Sequence, residues 1–480
     1  MKTITFLLII PWVITLPFTV FGQQEERLRV MVLTDIENEP DDAQSLVRFL
    51  TYANMWDIEG IVATTSTWQR DRIADWRIYE ILEAYGEVYE NLIQHEPGYP
   101  TKESLVNLVK QGGVKYGMTG VGAGEDSEGS EWIISTIKKE DERPLWVLLW
   151  GGSNTLAQAL WKIDQTMPPA ERDRLVSKLR VYAISDQDNA APWIRETFPD
   201  LFYIVSPGFQ EGNERGYRHG TWIGISGERW YHFPSGADTT IVGNQWVVEN
   251  IHAYGGALGN EYPFTEYIME GDSPSFLYLI DNGLGVPERP DYGSWGGRYE
   301  LYTPHYRKFF HQPETRPIWT NIEDMVIVDG VAHISDQATI WRWRDAFQND
   351  FATRIQWATK SYEDANHPPV AKLAHDNVLT VRSGETVQLD ASPSSDPDGD
   401  DLNFHWFMYL EPGTWLLAWD MMTTPGRCFT LDMEGRHEPV ASFTAPNVTR
   451  PEEIHIILEV TDTGTPPLTR YQRVIVNVLP

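Results

Sequence analysis

Between Leu28 and about Tyr362, short apolar runs rich in β-branched residues ("RVMVL", "IEGIVATT", "LWVLLW", "LRVYAIS", "LFYIV") alternate with stretches of helical period. The helical stretches include "DDAQSLVRFLTYAN", "DWRIYEILEAYG", "SEWIISTIKK" and "NTLAQALWKI". Repeated strand–helix alternation of this kind builds βαβ units, because parallel neighbours need a crossover long enough to hold a helix. The reading is an α/β fold: an open, mainly parallel sheet flanked by helices. After "ANHPPVA" the helical period vanishes, and short alternating strands separated by Pro, Gly, Asp and Ser clusters predict a small immunoglobulin-like β-sandwich. The expected organisation is a leader over residues 1–22, an α/β domain over 23–362 and a β-sandwich over 363–480, the last two expected to fold separately. Asp291 to Asp350, rich in Trp, Tyr and Arg, shows no clear period.

The first residues, "MKTITFLLIIPWVITLPFTVFGQQ", carry Lys2, an apolar stretch, and small residues Val20 and Gly22 before Gln23. That is the pattern of a secretory signal peptide, so the mature chain is expected to be secreted or periplasmic. Its only cysteine is Cys428, which leaves packing or metal, rather than disulfides, to hold it together. A formal net charge of −31 argues against nucleic acid and anionic membrane surfaces as partners. The 20 Trp and 21 Tyr offer flat faces that stack on sugar rings, which points to a carbohydrate partner, although such residues also fill cores. No oligomeric state follows from the sequence.

The densest chemistry lies in "LTDIENEPDDA", where Asp35, Glu37, Glu39, Asp41 and Asp42 fall within eight residues. "RVMVLTD" ends a strand and "PDDAQSLVRFL" starts a helix, with Pro40 suited to the first helical position. Ligands in open α/β sheets sit beyond the carboxyl ends of the strands. Asp41 and Asp42 would favour the helix N-terminus, worth only about 0.3–1 kcal/mol each, but that leaves Asp35 and Glu37 unexplained. Residues two apart on an extended strand end share a face, and two such charges about 4 Å apart repel by roughly 4 kcal/mol at an effective dielectric of about 20. A bound cation removes that penalty, and all-oxygen ligands on a flexible loop favour Ca2+.

These residues resemble the aspartate-rich motif that opens nucleoside hydrolases. The resemblance implies a calcium site built by Asp35, Glu37 and Asp42, with Asp41 contacting sugar hydroxyls and Glu37 as the catalytic base. Glu37 stands where the family carries Asp. "LLWGGSNTLAQAL" resembles the family's strand, turn and helix in which a backbone carbonyl reaches the metal, a position taken by Asn154. "EGDSPSFLYLI" resembles the late segment whose Asp completes the metal shell, here Asp272, with Gly271 where many members carry a His that assists the leaving base. "ISDQDNAAPWIRETFPDLFYIVS", "GDSPSFLYLIDNGLG", "GSWGGRY" and "SSDPDGDDLNFHWFMYLEPGTW" further resemble a narrower group of exported cellulose-binding proteins with a nucleoside hydrolase-like domain. The implied activity is calcium-dependent hydrolysis of a glycosyl bond in a plant or algal carbohydrate; the alternative is a non-catalytic carbohydrate binder that keeps the metal cleft.

Other substrate-binding candidates come from the residues alone. Thr67, Trp68 and Arg70 follow a strand and are placed in the pocket, although a Trp there also serves to cap a sheet. Asp186, Asp188 and Asn189 also follow a strand, as sugar contacts or as solvated turn residues. Trp295, Arg298 and His305 surround a Gly-rich turn, as a substrate wall or as a tight loop.

Overall fold

The computed structural model describes residues 26–206, 220–225, 236–302, 316–415 and 431–480. The expected leader, Cys428 and His305 lie outside the described residues.

The α/β part is built on an eight-stranded sheet. Its strands are β1 (Leu28–Thr34), β2 (Trp56–Ala63), β3 (Val109–Gln111), β4 (Leu145–Leu149), β5 (Leu179–Ser185), β6 (Phe202–Ser206), β7 (Tyr299–Tyr302) and β8 (Ile318–Asn321). The spatial order is β3-β2-β1-β4-β5-β6-β8-β7, parallel throughout except for the β7–β8 pair. Strands interior to a parallel sheet are buried on both faces, and β1 shows how. Val30 and Val32 pack into one core with α1 (Pro40–Thr51) and α2 (Asp75–His95), while Met31 and Leu33 pack into a second core on the opposite face. The chain runs outward from β1 through β2 to β3, then returns to β4 on the other side of β1. Strand order therefore reverses between β1 and β4, and a crevice opens beyond their carboxyl ends.

The aperiodic stretch after Asp291 supplies β7, β8, the hairpin β9 (Asp324–Val328) with β10 (Val331–Ser335), and the helix Arg344–Gln356. The C-terminal part follows as β11 (Val378–Arg382), β12 (Thr386–Asp390), β13 (Leu402–Tyr409), β14 (Val440–Thr444), β15 (Glu452–Asp462) and β16 (Thr469–Leu479). One sheet is ordered β11-β16-β15-β13, the other pairs β12 with β14, and Trp406, Phe443, Ile456 and Val474 share the core between them. Among the described residues no helix is long and apolar enough to cross a membrane.

The two parts share a buried interface. Tyr409, Ile457 and Tyr471 of the β-sandwich belong to the same apolar core as α1 and α2. Arg473, buried, donates to the carbonyls of Leu284 at 2.8 Å and Tyr292 at 2.9 Å. Gly283 passes so close that a Cβ there would lie 1.9 Å from the Tyr471 carbonyl oxygen.

Trp295 and Arg298 belong to this interface rather than to a substrate wall. Trp295 is fully buried and donates from Nε1 to the Tyr471 hydroxyl at 3.2 Å. Arg298 is held by Asp324 at 2.6 Å, and Asp324 also accepts from Arg342 at 2.8 Å and Tyr409 at 2.7 Å. Burial alone would raise Asp324, but Arg298 and Arg342 hold it below the usual carboxylate range. Replacing Trp295 by Ala is expected to destabilise the protein by about 3–5 kcal/mol, read from the denaturant midpoint. An unchanged midpoint would return Trp295 to the substrate wall.

Candidate functional site

The crevice is shaped by the turn that follows β1. The Ile36 N–H donates to Thr34 Oγ1 at 3.1 Å and the Asn38 N–H to the Asp35 carbonyl at 3.1 Å, closing a tight turn. Gln69 braces it by donating to the carbonyls of Asp35 at 3.0 Å and Ile36 at 3.1 Å. Glu37 sits inside the turn at φ 70, a left-handed conformation that costs a non-glycine residue on the order of 1–3 kcal/mol. Because the chain is no longer extended past Thr34, Asp35 and Glu37 do not share a face. Asp35 enters the crevice, while Glu37 turns to α2, its Oε1 lying 3.3 Å from Arg77 Nε. Glu39 follows in extended backbone at the helix N-cap and lines the crevice, and Pro40 then starts α1 with Asp41 and Asp42 in its first turn.

Asp272 joins them from the turn before a short helix. Trp150, at the end of β4, is fastened to that helix through Nε1, which donates to Ser275 Oγ at 2.8 Å. Two glycines permit the close approach. A Cβ at Gly151 would come 2.5 Å from Asp35 Oδ1, and one at Gly271 would come 2.8 Å from Asp41 Oδ2. Carboxylate oxygens of Asp41, Asp42 and Asp272 lie within 4.8 Å of one another. Oxygens that share one cation at about 2.3–2.6 Å each are at most about 5 Å apart, so the spacing fits a hard divalent ion. Thr34 Oγ1 donates to Asp42, but Asp35 Oδ2 and Asp272 Oδ2 are buried with no hydrogen-bond partner among the described residues. Orphaned buried carboxylate oxygens are costly, and a cation satisfies them. Trp68, Trp150 and Trp222 line the same crevice, Trp68 being 47 % exposed at its rim.

Two arginines on the helices beside the crevice are paired elsewhere: Arg48 with Glu270 at 2.9 Å, and Arg77 with Glu37 and Glu261. Among the described residues, no ion pair includes Asp35, Glu39, Asp41, Asp42 or Asp272. Burial pushes Asp35 up to about 6, and burial with the charge of Asp35 pushes Glu39 up to about 7. Burial and their neighbours' charges raise Asp41, Asp42 and Asp272 well above the usual carboxylate range.

The remaining sequence candidates take other places. Asn154 has its side chain tied to Thr64, Gly113 and Lys115 at 2.8–2.9 Å. Its carbonyl, expected to reach the metal, belongs to the first residue of the helix Asn154–Thr166, and carbonyls there point along the helix toward its C-terminus. Asp188 caps two helices, accepting from the N–H groups of Ser153 at 2.8 Å, Asn154 at 3.0 Å and Ala190 at 2.8 Å. Asp186 forms a two-pronged pair with Arg195 at 2.8 and 2.9 Å, and Asn189 accepts from the Met118 N–H at 2.8 Å. Thr67 lies beside the rim, its N–H donating to the Gln187 carbonyl at 2.7 Å. Arg70 donates to Thr67 and stacks over Tyr116 at 4.2 Å. Glu39, Trp150, Gln187 and Trp222 line the crevice without having been assigned from sequence. Position gave a signal for Glu39, before a helix-starting Pro, for Trp150, at a strand end, and for Gln187, just past one, and none for Trp222.

The raised groups set a pH dependence. An acid whose folded value exceeds its unfolded one binds more protons when folded, so stability falls as pH rises from the unfolded value near 4 to the folded values of Asp35 and Glu39, about 6 and about 7. In chelator, the melting temperature is expected to drop between pH 5 and 7.5, and a divalent cation is expected to abolish the drop. A chelated protein whose melting temperature stays level or rises over that range would contradict it.

Comparison with known proteins places this crevice in a family. Residues 29–299 match the family described as cellulose-binding Sde182, nucleoside hydrolase-like domain, and residues 386–478 match cellulose-binding protein Sde0182, C-terminal domain. The chain is similar to a nucleoside hydrolase-related hypothetical protein from Saccharophagus degradans described as associated with carbohydrate metabolism. The two are 36 % identical with a TM-score of 0.75, over 94 % of this chain and 100 % of that one. Slighter likenesses are to the type III effector protein XopQ complexed with adenosine diphosphate ribose (12 % identity, TM-score 0.31, 70 % of this chain and 93 % of that one) and to the PKD domain of KIAA 1837 protein (20 %, TM-score 0.16, 24 % and 92 %). No curated protein matches the chain. Both family parts occur in order along one chain whose relative aligns over nearly its full length: the chain belongs to the Sde182 family of cellulose-binding proteins with a nucleoside hydrolase-like domain.

Proposed function

We propose that this protein, acting outside the cytoplasm, hydrolyses a glycosyl bond of a plant or algal carbohydrate at a calcium-holding crevice. The observation that carries the reading is the concentration of uncompensated buried carboxylates, two with orphaned oxygens, in a crevice walled by tryptophans. Asp35, Asp42 and Asp272 would hold calcium, with Asp41 placed to share in it or to accept sugar hydroxyls. When bound, calcium supplies positive charge for vicinal sugar hydroxyls and an attacking water. The tryptophans orient the sugar by stacking and exclude bulk water. Glu39, rather than Glu37, takes the role of base, because it lines the crevice while Glu37 is paired with Arg77. The anomeric carbon would pass through an oxocarbenium-like state beside these carboxylates.

A second reading, a carbohydrate binder without turnover, is favoured by Gly271, which brings no proton donor to the leaving group. A screen of polysaccharides and aryl glycosides, with calcium or with chelator, separates the two. The first reading predicts cleavage that chelator abolishes. Glu39→Gln is then expected to slow turnover by about 100-fold or more while sugar binding survives. Glu37→Gln should leave most activity, and Asp42→Ala should lose metal and sugar affinity together. A wild type that cleaves nothing yet retains polysaccharide in pull-down overturns the hydrolase and leaves the binder.

A further inference from the structure

Behind the crevice, a chain of buried contacts runs to the C-terminal β-sandwich. Arg48 lies on α1, two turns past Asp41 and Asp42, and is fully buried. Its guanidinium is held on three sides: by Glu270 at 2.9 Å, by Gln348, whose Oε1 accepts from it, and by the Phe351 ring 4.2 Å away. Glu270 in turn sits at φ 52, a conformation that persists in a non-glycine residue only where the surroundings over-determine it. Those surroundings are Arg48, the hydroxyls of Tyr262 and Ser273, each donating at 2.6 Å, and Gln44, which accepts from the Glu270 N–H at 3.0 Å. The next two residues are Gly271 and Asp272, which line the crevice.

Gln348 and Phe351 belong to the helix Arg344–Gln356, and that helix is fastened by the β-sandwich. Arg470 Nη1 donates to Asp350 Oδ2 at 2.6 Å, while Tyr52 donates to the other oxygen at 2.7 Å. The Tyr471 hydroxyl accepts from Trp295, whose ring meets Phe347 at 6.3 Å.

We propose that the β-sandwich is a working part of the cation site: Arg470 and Tyr471 fix the helix Arg344–Gln356, which holds Arg48 and, through it, the Glu270 turn that presents Asp272. Arg48 and Arg470 are positioning residues. The inference rests on the reading that the crevice holds a cation, and it adds that affinity for that cation depends on a contact made by the other domain.

Calcium titration of the folded full-length protein tests it, with wild type, Arg470→Ala, Arg470→Lys and Gln348→Met compared by calorimetry. Arg470→Ala and Gln348→Met are expected to weaken calcium by about 3- to 30-fold, and Arg470→Lys to recover most of the loss. Unfolding in chelator is followed in parallel, because a merely structural role lowers the midpoint without changing the affinity of the folded protein. If Arg470→Ala does not fold, Gln348→Met decides, since it cuts the middle link without touching the domain interface. Wild-type affinity in the folded variants overturns this inference alone. A wild type with no calcium affinity overturns it together with the proposed function.

Discussion

The mutual repulsion of buried carboxylates at the carboxyl end of β1 is the constraint around which the molecule is arranged. Asp35, Glu39, Asp41, Asp42 and Asp272 converge where strand order reverses, in a place from which water is largely removed. Such charges are tolerated only if protonated or paired with a cation. The surrounding structure keeps them close. Gly151 and Gly271 leave room for carboxylates where any side chain would collide, and the strained turns at Glu37 and Glu270 set the directions in which the neighbouring acids point.

That arrangement separates the chemistry from the scaffold in an instructive way. Three buried or half-buried arginines of the surrounding scaffold are spent on other carboxylates: Arg48 on Glu270, Arg77 on Glu37 and Glu261, Arg195 on Asp186. Those pairs lock the walls, and among the described residues no ion pair reaches the five acids of the crevice. Asp188, which caps two helices with its two oxygens, belongs to the walls as well.

How much of this was legible in the sequence depended on how local the cause is. Strand–helix alternation is written residue by residue, so the parallel sheet and the change of texture after "ANHPPVA" could be read directly. The clustering of Asp35, Asp41 and Asp42 was legible because a strand end and a helix start are local signals. The outward turn of Glu37 was not, since the argument from alternation holds only while the chain stays extended, and a single residue at φ 70 breaks it. Trp295 and Arg298 were misplaced for the opposite reason. Their partners, Tyr471 and Asp324, come from distant parts of the chain, and no nearby pattern announces them. The shared core between the two domains was hidden in the same way.

The central claim is that the crevice acids hold protons when no metal is present and give them up to a cation. Calcium titration in buffers of different ionisation enthalpy at pH 6.5 measures this directly, because protons released on binding appear as a buffer-dependent heat. The account predicts release of about one or more protons per calcium bound, given acids raised to about 6 and about 7 and others raised well above the usual carboxylate range. Binding heats that are the same in every buffer would contradict it.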